Sequence, residues 1–464
     1  MERFSTGIET LDDILNGGFP QGSTVLIVGR PGSGKTILAH QIMFHNATPE
    51  SKVVYLTTLA EPQVKVIKFQ QEFSFFDHLK FQKSVIYLDL GSILRKQGPR
   101  HVLLMIDDIL KKHQPRLIVV DTIKTLADIV PSLNEFREFL LDLSLRLATW
   151  GCTALLLGEY SEDDIEFRPE GAIADGILCL YGTEEKKQQK RFLRILKMRG
   201  TSYTGGEIVF RITDHGIDIF PRIKPSVETQ PYDFYEGRIS TGIPGLDEMT
   251  GGGIPRSTTT LVSGSSGTGK TLLALHFTLS GLEAGENAVY VTFEENPRQL
   301  VRGALSLGLD LQPFIDQGKL QLIHVSPIEL DVDQHVYNIQ KSVLDTGSKR
   351  LVIDSISSFE VGMPDKVKYT DYIWAMSDYF KTQGINVLLT HELNYSEHIS
   401  QLTKHGISFV ADNLLTLRYL EQGVDLKRFL QVVKMRGSNH ATNMQELLIG
   451  SGGISVGGSL SCHS

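Results

Sequence analysis

Two stretches, GRPGSGKT at residues 29–36 and GSSGTGKT at residues 264–271, decide the fold of this chain. Each follows an apolar run and precedes a segment with helical periodicity, which is the context of a phosphate-binding loop between a strand and a helix. Glycines let backbone N–H groups close around phosphate oxygens, and the helix amino terminus favours an anion. A chance glycine turn is the alternative, but two matches in the same context favour two nucleotide sites.

The two loops belong to a repeat that covers most of the chain. They are 235 residues apart, and this offset changes only to 233 and then 237 further along. The other related positions are Thr57 and Thr292, Asp121 and Asp354, and the KMRG motifs at 197–200 and 434–437. We therefore predict a duplicated domain, 1–230 and 231–464, with the boundary in a proline-containing linker near residue 230.

Short apolar runs alternate with helix-period segments in each copy, as in a mostly parallel sheet covered by helices on both faces. Later β-like runs, at 207–220 and 444–456, predict an antiparallel extension. The fold class is α/β, with two tandem P-loop NTPase domains. We expect the glycine- and serine-rich end of the chain to be disordered.

Residues at fixed places in the repeat predict Mg²⁺-ATP binding by both halves. The loop lysine reaches the β and γ phosphates, and the loop threonine offers its hydroxyl to Mg²⁺. An aspartate that ends an apolar strand orders the metal through water, although it could instead cap the following helix. The phosphate-binding residues would be Gly29, Gly32, Ser33, Gly34, Lys35 and Thr36, and Gly264, Ser266, Gly267, Thr268, Gly269, Lys270 and Thr271; the metal residues would be Thr36, Asp121, Thr271, Asp354 and Glu294.

The halves differ where hydrolysis would be catalysed. VYLTTLAEP at 54–62 aligns with VYVTFEENP at 289–297, so Leu59 and Ala60 stand where the second copy has Glu294 and Glu295. Phosphoryl transfer needs a carboxylate that orients the nucleophile and accepts its proton. We expect Glu294 and Glu295 to end the strand beside the loop strand and to be catalytic, whereas Glu61 is a weaker substitute that an extended chain points the other way.

The chain resembles the KaiC family of hexameric clock ATPases and autokinases. The resemblance covers nearly all of residues 1–450 and is carried by STGIETLDDILNGGFPQG, STGIPGLDEMTGGGIPRS, TFEE and KMRG. It implies RecA-like domains in a double-ring homohexamer with ATP between subunits. The motif match then places Lys197, Met198, Arg199, Lys434, Met435 and Arg436 at a neighbour's nucleotide, with Lys434 and Arg436 catalytic. From the residues alone, a KxR pair on a strand fits a surface ion pair equally well.

The resemblance also implies a kinase in the second half, with Glu294 and Glu295 as its catalytic pair. Ser408 falls on the phosphoacceptor serine, Phe409 replaces the acceptor threonine, and Thr403 falls on an auxiliary threonine. Two further positions, Arg428 and Leu307, fall where the family contacts nucleotide, and Leu307 replaces a tryptophan. The family's long tail binds an activating clock partner, and we expect no counterpart of that tail in this protein.

Composition narrows the functional classes. A net charge of −8 without a basic stripe disfavours a nucleic-acid partner. No apolar run is long enough to span a bilayer, and no export signal is recognisable, so we expect a cytoplasmic protein. Cys152, Cys179 and Cys462 lack the spacing of a zinc site.

Three hypotheses follow. The first is an ATP-driven ring whose first half binds ATP mainly for assembly, whose second half hydrolyses it and phosphorylates Ser408, and whose partner is a signalling or clock-like protein. The second is a nucleotide-gated signalling scaffold without kinase activity. The third, which the charge disfavours, is a DNA-acting motor.

Overall fold

The computed structural model describes residues 2–58, 63–185, 188–224, 237–326, 331–363, 365–393, 407–422 and 424–459. The chain forms two compact units, Met1–Pro221 and Arg222–Ser464. The boundary that we predict near residue 230 lies outside the described residues, as do Leu59, Ala60, Glu61 and Thr403.

The first unit alternates strands and helices along its first 175 residues and then continues as strands. Its elements are β1 (Arg3–Phe4), α1 (Glu9–Ile14), β2 (Phe19–Pro20), β3 (Thr24–Val28), α2 (Lys35–Asn46), β4 (Val53–Thr57), α3 (Gln63–Gln70), α4 (His78–Lys83), β5 (Val85–Asp89), α5 (Leu90–Gln97), α6 (Pro99–His113), β6 (Leu117–Asp121), α7 (Ile123–Ile129), α8 (Leu133–Thr149), β7 (Thr153–Gly158), α9 (Glu162–Glu166), α10 (Pro169–Ile173), β8 (Gly176–Glu185), β9 (Gln188–Met198), β10 (Glu207–Thr213) and β11 (Gly216–Phe220).

Nine of these strands form one sheet in the order β11-β10-β9-β8-β3-β7-β6-β4-β5. The strands from β8 to β5 in this order run parallel, and β8, β9, β10 and β11 pair antiparallel. Side chains alternate between the two faces of a strand, so β3 can serve two cores. Val25 and Ile27 pack on the α2 side, and Leu26 and Val28 pack on the side of α6 and α8.

The second unit repeats this arrangement. Its elements are β12 (Arg238–Ile239), α11 (Pro244–Met249), β13 (Ile254–Pro255), β14 (Thr259–Gly264), α12 (Lys270–Glu283), β15 (Ala288–Thr292), α13 (Pro297–Ser306), α14 (Gln312–Asp316), β16 (Leu320–His324), α15 (Val332–Thr346), β17 (Arg350–Asp354), α16 (Ser357–Gly362), α17 (Lys366–Thr382), β18 (Asn386–Glu392), α18 (Ile407–Val410), β19 (Asn413–Gln422), β20 (Asp425–Met435), β21 (Gln445–Gly450) and β22 (Gly453–Ser459).

The second sheet has the order β16-β15-β17-β18-β14-β19-β20-β21-β22, which is the order of the first sheet read from β5 to β11. The strands from β16 to β19 run parallel, and β19 to β22 pair antiparallel. The α/β fold class and the antiparallel extensions are thereby confirmed, and the equal strand orders show that a whole domain is repeated.

Two sequence-based expectations are wrong. The strand before Glu294 and Glu295 does not lie beside the loop strand, because β17 and β18 lie between β15 and β14. Part of the glycine- and serine-rich segment is also ordered, because Gly453–Ser459 form β22, and residues 460–464 lie outside the described residues. This strand is held by pairing with β21, by burial of Ile454, and by a 2.8 Å hydrogen bond from the Ile454 N–H to His276 Nε2.

No helix within the described part of the chain is long and apolar enough to cross a membrane.

Candidate functional site

Each glycine-rich loop connects the central strand of its sheet to a long helix. In the first unit the loop joins β3 to α2, and in the second it joins β14 to α12. The residues before the helices, Gly34 and Gly269, have φ angles of 102° and 105°, which glycine adopts without steric cost. The free N–H groups at the start of each helix therefore face the loop, as phosphate binding requires.

The loop lysines are held in equivalent positions. Lys35 Nζ donates to the carbonyl oxygens of Gly29 and Arg30 at 2.8 and 3.0 Å. Lys270 Nζ donates to those of Gly264 and Ser265 at the same two distances. Burial lowers the pKa of both ammonium groups, while neighbouring carboxylates oppose this shift. Each loop thus carries one partly desolvated cation, which favours an anionic ligand.

The first unit brings a hydroxyl and a carboxylate together below its loop. Thr36 Oγ1 donates to Asp121 Oδ2 at 3.2 Å, and the Tyr55 hydroxyl donates to the same oxygen at 2.5 Å. Burial raises the pKa of Asp121, although these two hydrogen bonds oppose the rise. Hydroxyl and carboxylate oxygens are the donors that Mg²⁺ prefers, so the pair fits the metal role.

The second unit has an equivalent carboxylate, Asp354, which is again hydrogen-bonded by a tyrosine and a threonine. Asp354 accepts hydrogen bonds from Tyr290 at 2.9 Å and from Thr390 at 2.5 Å. Thr271 and Asp354 line one cleft of about 450 Å³ that also includes the loop residues Ser266, Gly267, Gly269 and Lys270. The oxygen donors again fit Mg²⁺.

Glu294 and Glu295 lie in this second cleft although their strand is remote from β14. They follow β15, and the backbone N–H of Phe293 donates to the Asp354 carbonyl oxygen at 3.0 Å, which brings the segment to the loop. Both glutamates line the cleft with Lys270. Desolvation and the carboxylates of Glu392 and Asp354 raise the pKa of Glu294, and Lys270 opposes this rise. A carboxylate with a raised pKa is suited to accept a proton.

The two positions that the resemblance assigns to nucleotide contact both lie near the second loop. Leu307 is half-buried in the wall of the cleft. Arg428 Nε donates to the Gly267 carbonyl oxygen at 3.1 Å, and its guanidinium lies 5.3 Å from the ring centroid of Tyr419. Both residues can therefore contact a ligand on the loop of their own unit.

The first unit has a cavity of about 590 Å³ beside residues 29–33 of its loop. Its wall differs in chemistry from the second cleft, because Arg191, Arg194 and Tyr181 line it. Arg194 is paired with Glu162 at 2.9 Å. The cavity reaches the start of the first loop, and its lining does not include Lys35, Thr36 or Asp121.

The KMRG motifs make matching contacts in the two units. Lys197 Nζ donates to the Gly171 and Ala172 carbonyl oxygens at 3.1 and 3.2 Å, and Arg199 contacts Asp175 at 3.4 Å. Lys434 Nζ donates to the carbonyl oxygens of Ser408 and Ala411 at 3.0 and 2.7 Å, and Arg436 contacts Asp412 at 3.5 Å. The side chains of Met198 and Met435 are buried in the core.

Both motifs lie near the strand ends that are opposite their own loop. Met198 pairs with Gly176, which pairs with Val25 near the start of β3. Met435 pairs with Asn413, which pairs with Thr260 near the start of β14. A strand of this length spans roughly 15 Å. Lys434 and Arg436 therefore lie far from the phosphate site of their own unit.

Ser408 belongs to α18, next to the second KMRG motif. The residue is 8% exposed, and Phe409 beside it is 67% exposed. The Phe409 carbonyl oxygen accepts a hydrogen bond from Arg436 at 3.1 Å. The predicted phosphoacceptor is thus attached to the basic motif and is largely shielded from solvent.

Two glutamates near the loops were missed by the sequence reasoning. Glu159 directly follows β7, and Glu392 is the last residue of β18. Each of these strands lies next to the loop strand of its sheet. They are 233 residues apart, the offset that already relates Asp121 to Asp354, so the repeat could have identified them.

Comparison with known proteins agrees with this geometry. The family model described as ATPase, KaiC matches residues 4–224 and again residues 239–461. The chain belongs to the KaiC family of ATPases. Its relatives include the circadian clock oscillator proteins KaiC of Picosynechococcus and Synechococcus elongatus, each 28% identical over 98% of this chain and covering 90% and 89% of the relative. That of Prochlorococcus marinus is 26% identical over 99% of the chain and 94% of the relative.

Family membership confirms the resemblance found in the sequence, and membership of an ATPase family implies nucleotide binding. At 28% identity the chain is a divergent KaiC-like ATPase.

Proposed function

We propose that the protein is a Mg²⁺-ATP-dependent, ring-forming ATPase whose second half hydrolyses ATP and whose first half binds ATP mainly to hold subunits together. The observation that carries this proposal is the shared cleft of Lys270, Asp354, Glu294 and Glu295. This cleft combines a phosphate-binding cation, a metal carboxylate and two candidate bases.

Both halves have the groups needed to bind ATP with Mg²⁺. Lys35 and Lys270 would contact the β and γ phosphates, and the metal would be held near Thr36 and Asp121 or near Thr271 and Asp354. When bound, Mg²⁺ neutralises charge that develops on the phosphates. Desolvated loop lysines and oxygen donors beside them support this assignment.

Catalysis in the second half rests on Glu294 and Glu295. The raised pKa of Glu294 brings it closer to neutral pH, where a carboxylate is a more effective proton acceptor. We infer that Glu294 orients the attacking water and takes its proton, while Glu295 adds negative charge that keeps this pKa raised.

The position of the basic motifs supports the proposed ring. Lys434 and Arg436 lie at the strand ends opposite their own loop, which supports our proposal that they act on a phosphate bound by another subunit. Lys197 and Arg199 would do the same for the first half. A cation supplied by a neighbour stabilises transition-state charge in phosphoryl transfer. We expect a homohexamer with ATP at each interface, which then presents a surface to a signalling partner.

Autophosphorylation of Ser408 is a separate part of the proposal. The serine lies beside Lys434 and Arg436, where a neighbour's γ phosphate would bind. Its low exposure means that α18 must open before the hydroxyl can attack, so we expect a slow reaction.

Native mass spectrometry with and without Mg²⁺-ATP, paired with phosphate release, tests this function. We expect hexamers only with nucleotide, together with steady phosphate release. A monomer under both conditions, or the absence of phosphate release, would overturn the proposal.

A further inference from the structure

Glu159 lies immediately beside the first phosphate loop. The Gly29 N–H donates to the Gly158 carbonyl oxygen at 3.3 Å, so β7 is hydrogen-bonded to the first glycine of the loop. Glu159 is the next residue and is exposed. Lys35 Nζ is bonded to the carbonyl oxygen of the same Gly29. The residue before Glu159 and the loop lysine therefore both contact Gly29.

The electrostatics of the loop lysine agree with a nearby Glu159. Among the charged neighbours of Lys35, Glu159 opposes the burial-induced lowering of the lysine pKa most strongly, ahead of Asp121. The same glutamate contributes to the raised pKa of Asp121. Its carboxylate thus lies within electrostatic reach of both groups that would surround the γ phosphate and its metal.

Glu392 is the residue of the second unit that is equivalent to Glu159, and it lies in the second cleft. It pairs with Gly264, the first glycine of the second loop, and its backbone N–H donates to Ser357 Oγ at 2.9 Å. The residue lines the second cleft together with Glu294. In the second unit, a glutamate at this strand end therefore lies in the same cleft as the loop lysine.

We propose that Glu159 holds and deprotonates the water that attacks the γ phosphate in the first half. This inference rests on the proposed binding of ATP by that half. Asp121 is less suited to the role because its carboxylate already accepts two hydroxyl hydrogen bonds. Within the described residues, no hydrogen-bond donor contacts the Glu159 carboxylate, which leaves its oxygens available to a water.

The reaction is an ordinary hydrolysis. The water oxygen forms a bond to the γ phosphorus while the bond from that phosphorus to the β,γ-bridging oxygen breaks, and the electron pair of that bond leaves with ADP. The proton of the water passes to the Glu159 carboxylate and then to phosphate or solvent. The first half would accordingly hydrolyse ATP slowly, with one base in place of the Glu294 and Glu295 pair.

The test uses the full chain with its second half silenced. Glu294→Gln, Glu295→Gln and Glu392→Gln are combined, and the remaining phosphate release is measured. Glu159→Gln or Glu61→Gln is then added to this background. A fluorescent ATP analogue reports nucleotide affinity, and native mass reports the ring. Glu61 is the matched control, because it is the alternative carboxylate in this half.

We expect Glu159→Gln to lower the remaining turnover by about 10²-fold, with nucleotide affinity and ring mass unchanged. Glu61→Gln should change it by less than about twofold, since the water is assigned to Glu159. Four results would overturn the inference: no turnover in the silenced background, turnover that survives Glu159→Gln, an equal loss with Glu61→Gln, or a loss of nucleotide affinity in Glu159→Gln. Wild-type turnover in the silenced background would instead contradict the proposed role of the second half and leave the Glu159 comparison readable.

Discussion

Lys434 Nζ donates to the carbonyl oxygen of Ala411 at 2.7 Å. This contact lies at the strand ends of the second sheet that are opposite the phosphate loop. Desolvation and the neighbouring Arg436 lower the pKa of this lysine. The basic motif is therefore a preorganised cationic group on the face that would meet another subunit.

Action across the interface predicts complementation in mixed rings. Arg436→Ala should lower turnover on the order of 10³-fold, because an arginine finger contributes at least this much elsewhere. Mixing Arg436→Ala subunits with Lys270→Ala subunits should restore part of the activity, since some interfaces then combine an intact loop with an intact motif. Phosphate release from co-assembled rings measures this effect. Additive, unrestored activity would place the arginine in the site of its own subunit.

The first half should control assembly. Lys35→Ala removes the cation that contacts the phosphates and should convert hexamers into smaller species at ATP concentrations that sustain wild-type rings. A ligand present at a hundred times its Kd stabilises the form that binds it by about 2.7 kcal/mol. Native mass across an ATP titration measures the shift, and Lys270→Ala is the matched control. Equal loss of rings in both variants would refute a special assembly role for the first half.

His40 predicts an acid-sensitive first half. Burial lowers the pKa of His40 to about 4, and its ring packs 4.5 Å from that of Tyr55. The folded state prefers the neutral imidazole, so this contribution to stability is complete above roughly pH 6.5 and is lost as the pH falls toward 4. The equivalent position in the second half is Leu275. His40→Leu should therefore reduce the loss of stability between roughly pH 6.5 and 4.

Trp150 fluorescence in a Trp374→Phe background follows unfolding of the first half, because these are the two tryptophans of the chain. The same pH dependence in wild type and His40→Leu would show that other groups cause the acid sensitivity.

Phosphorylation should be confined to one residue. After incubation with Mg²⁺-ATP we expect intact mass to rise by a single phosphate, slowly, because Ser408 is 8% exposed. Ser408→Ala should abolish the increase. An unchanged wild-type mass, or phosphate that persists in Ser408→Ala, would exclude this serine as the acceptor.

Local motifs explain why so much of the fold was predictable. The glycine loops, their lysines and the repeat offsets specify two α/β domains without reference to distant residues. Strand order was less accessible, because nothing near Thr292 encodes that β17 and β18 insert between β15 and β14. Glu159 escaped notice because the offset changes from 235 to 233 before it, so its match with Glu392 is visible only after that change is followed.

The central claim is that Glu294 and Glu295 carry most of the ATP hydrolysis, and steady-state phosphate release by full-length rings tests it most directly. Glu294→Gln combined with Glu295→Gln should lower turnover by about 10² to 10⁴-fold while the hexamer persists in native mass spectra. Glu283→Gln, at the far end of α12, is the matched control and should leave turnover unchanged. Rings of the paired variant that hydrolyse ATP at the wild-type rate would contradict the account.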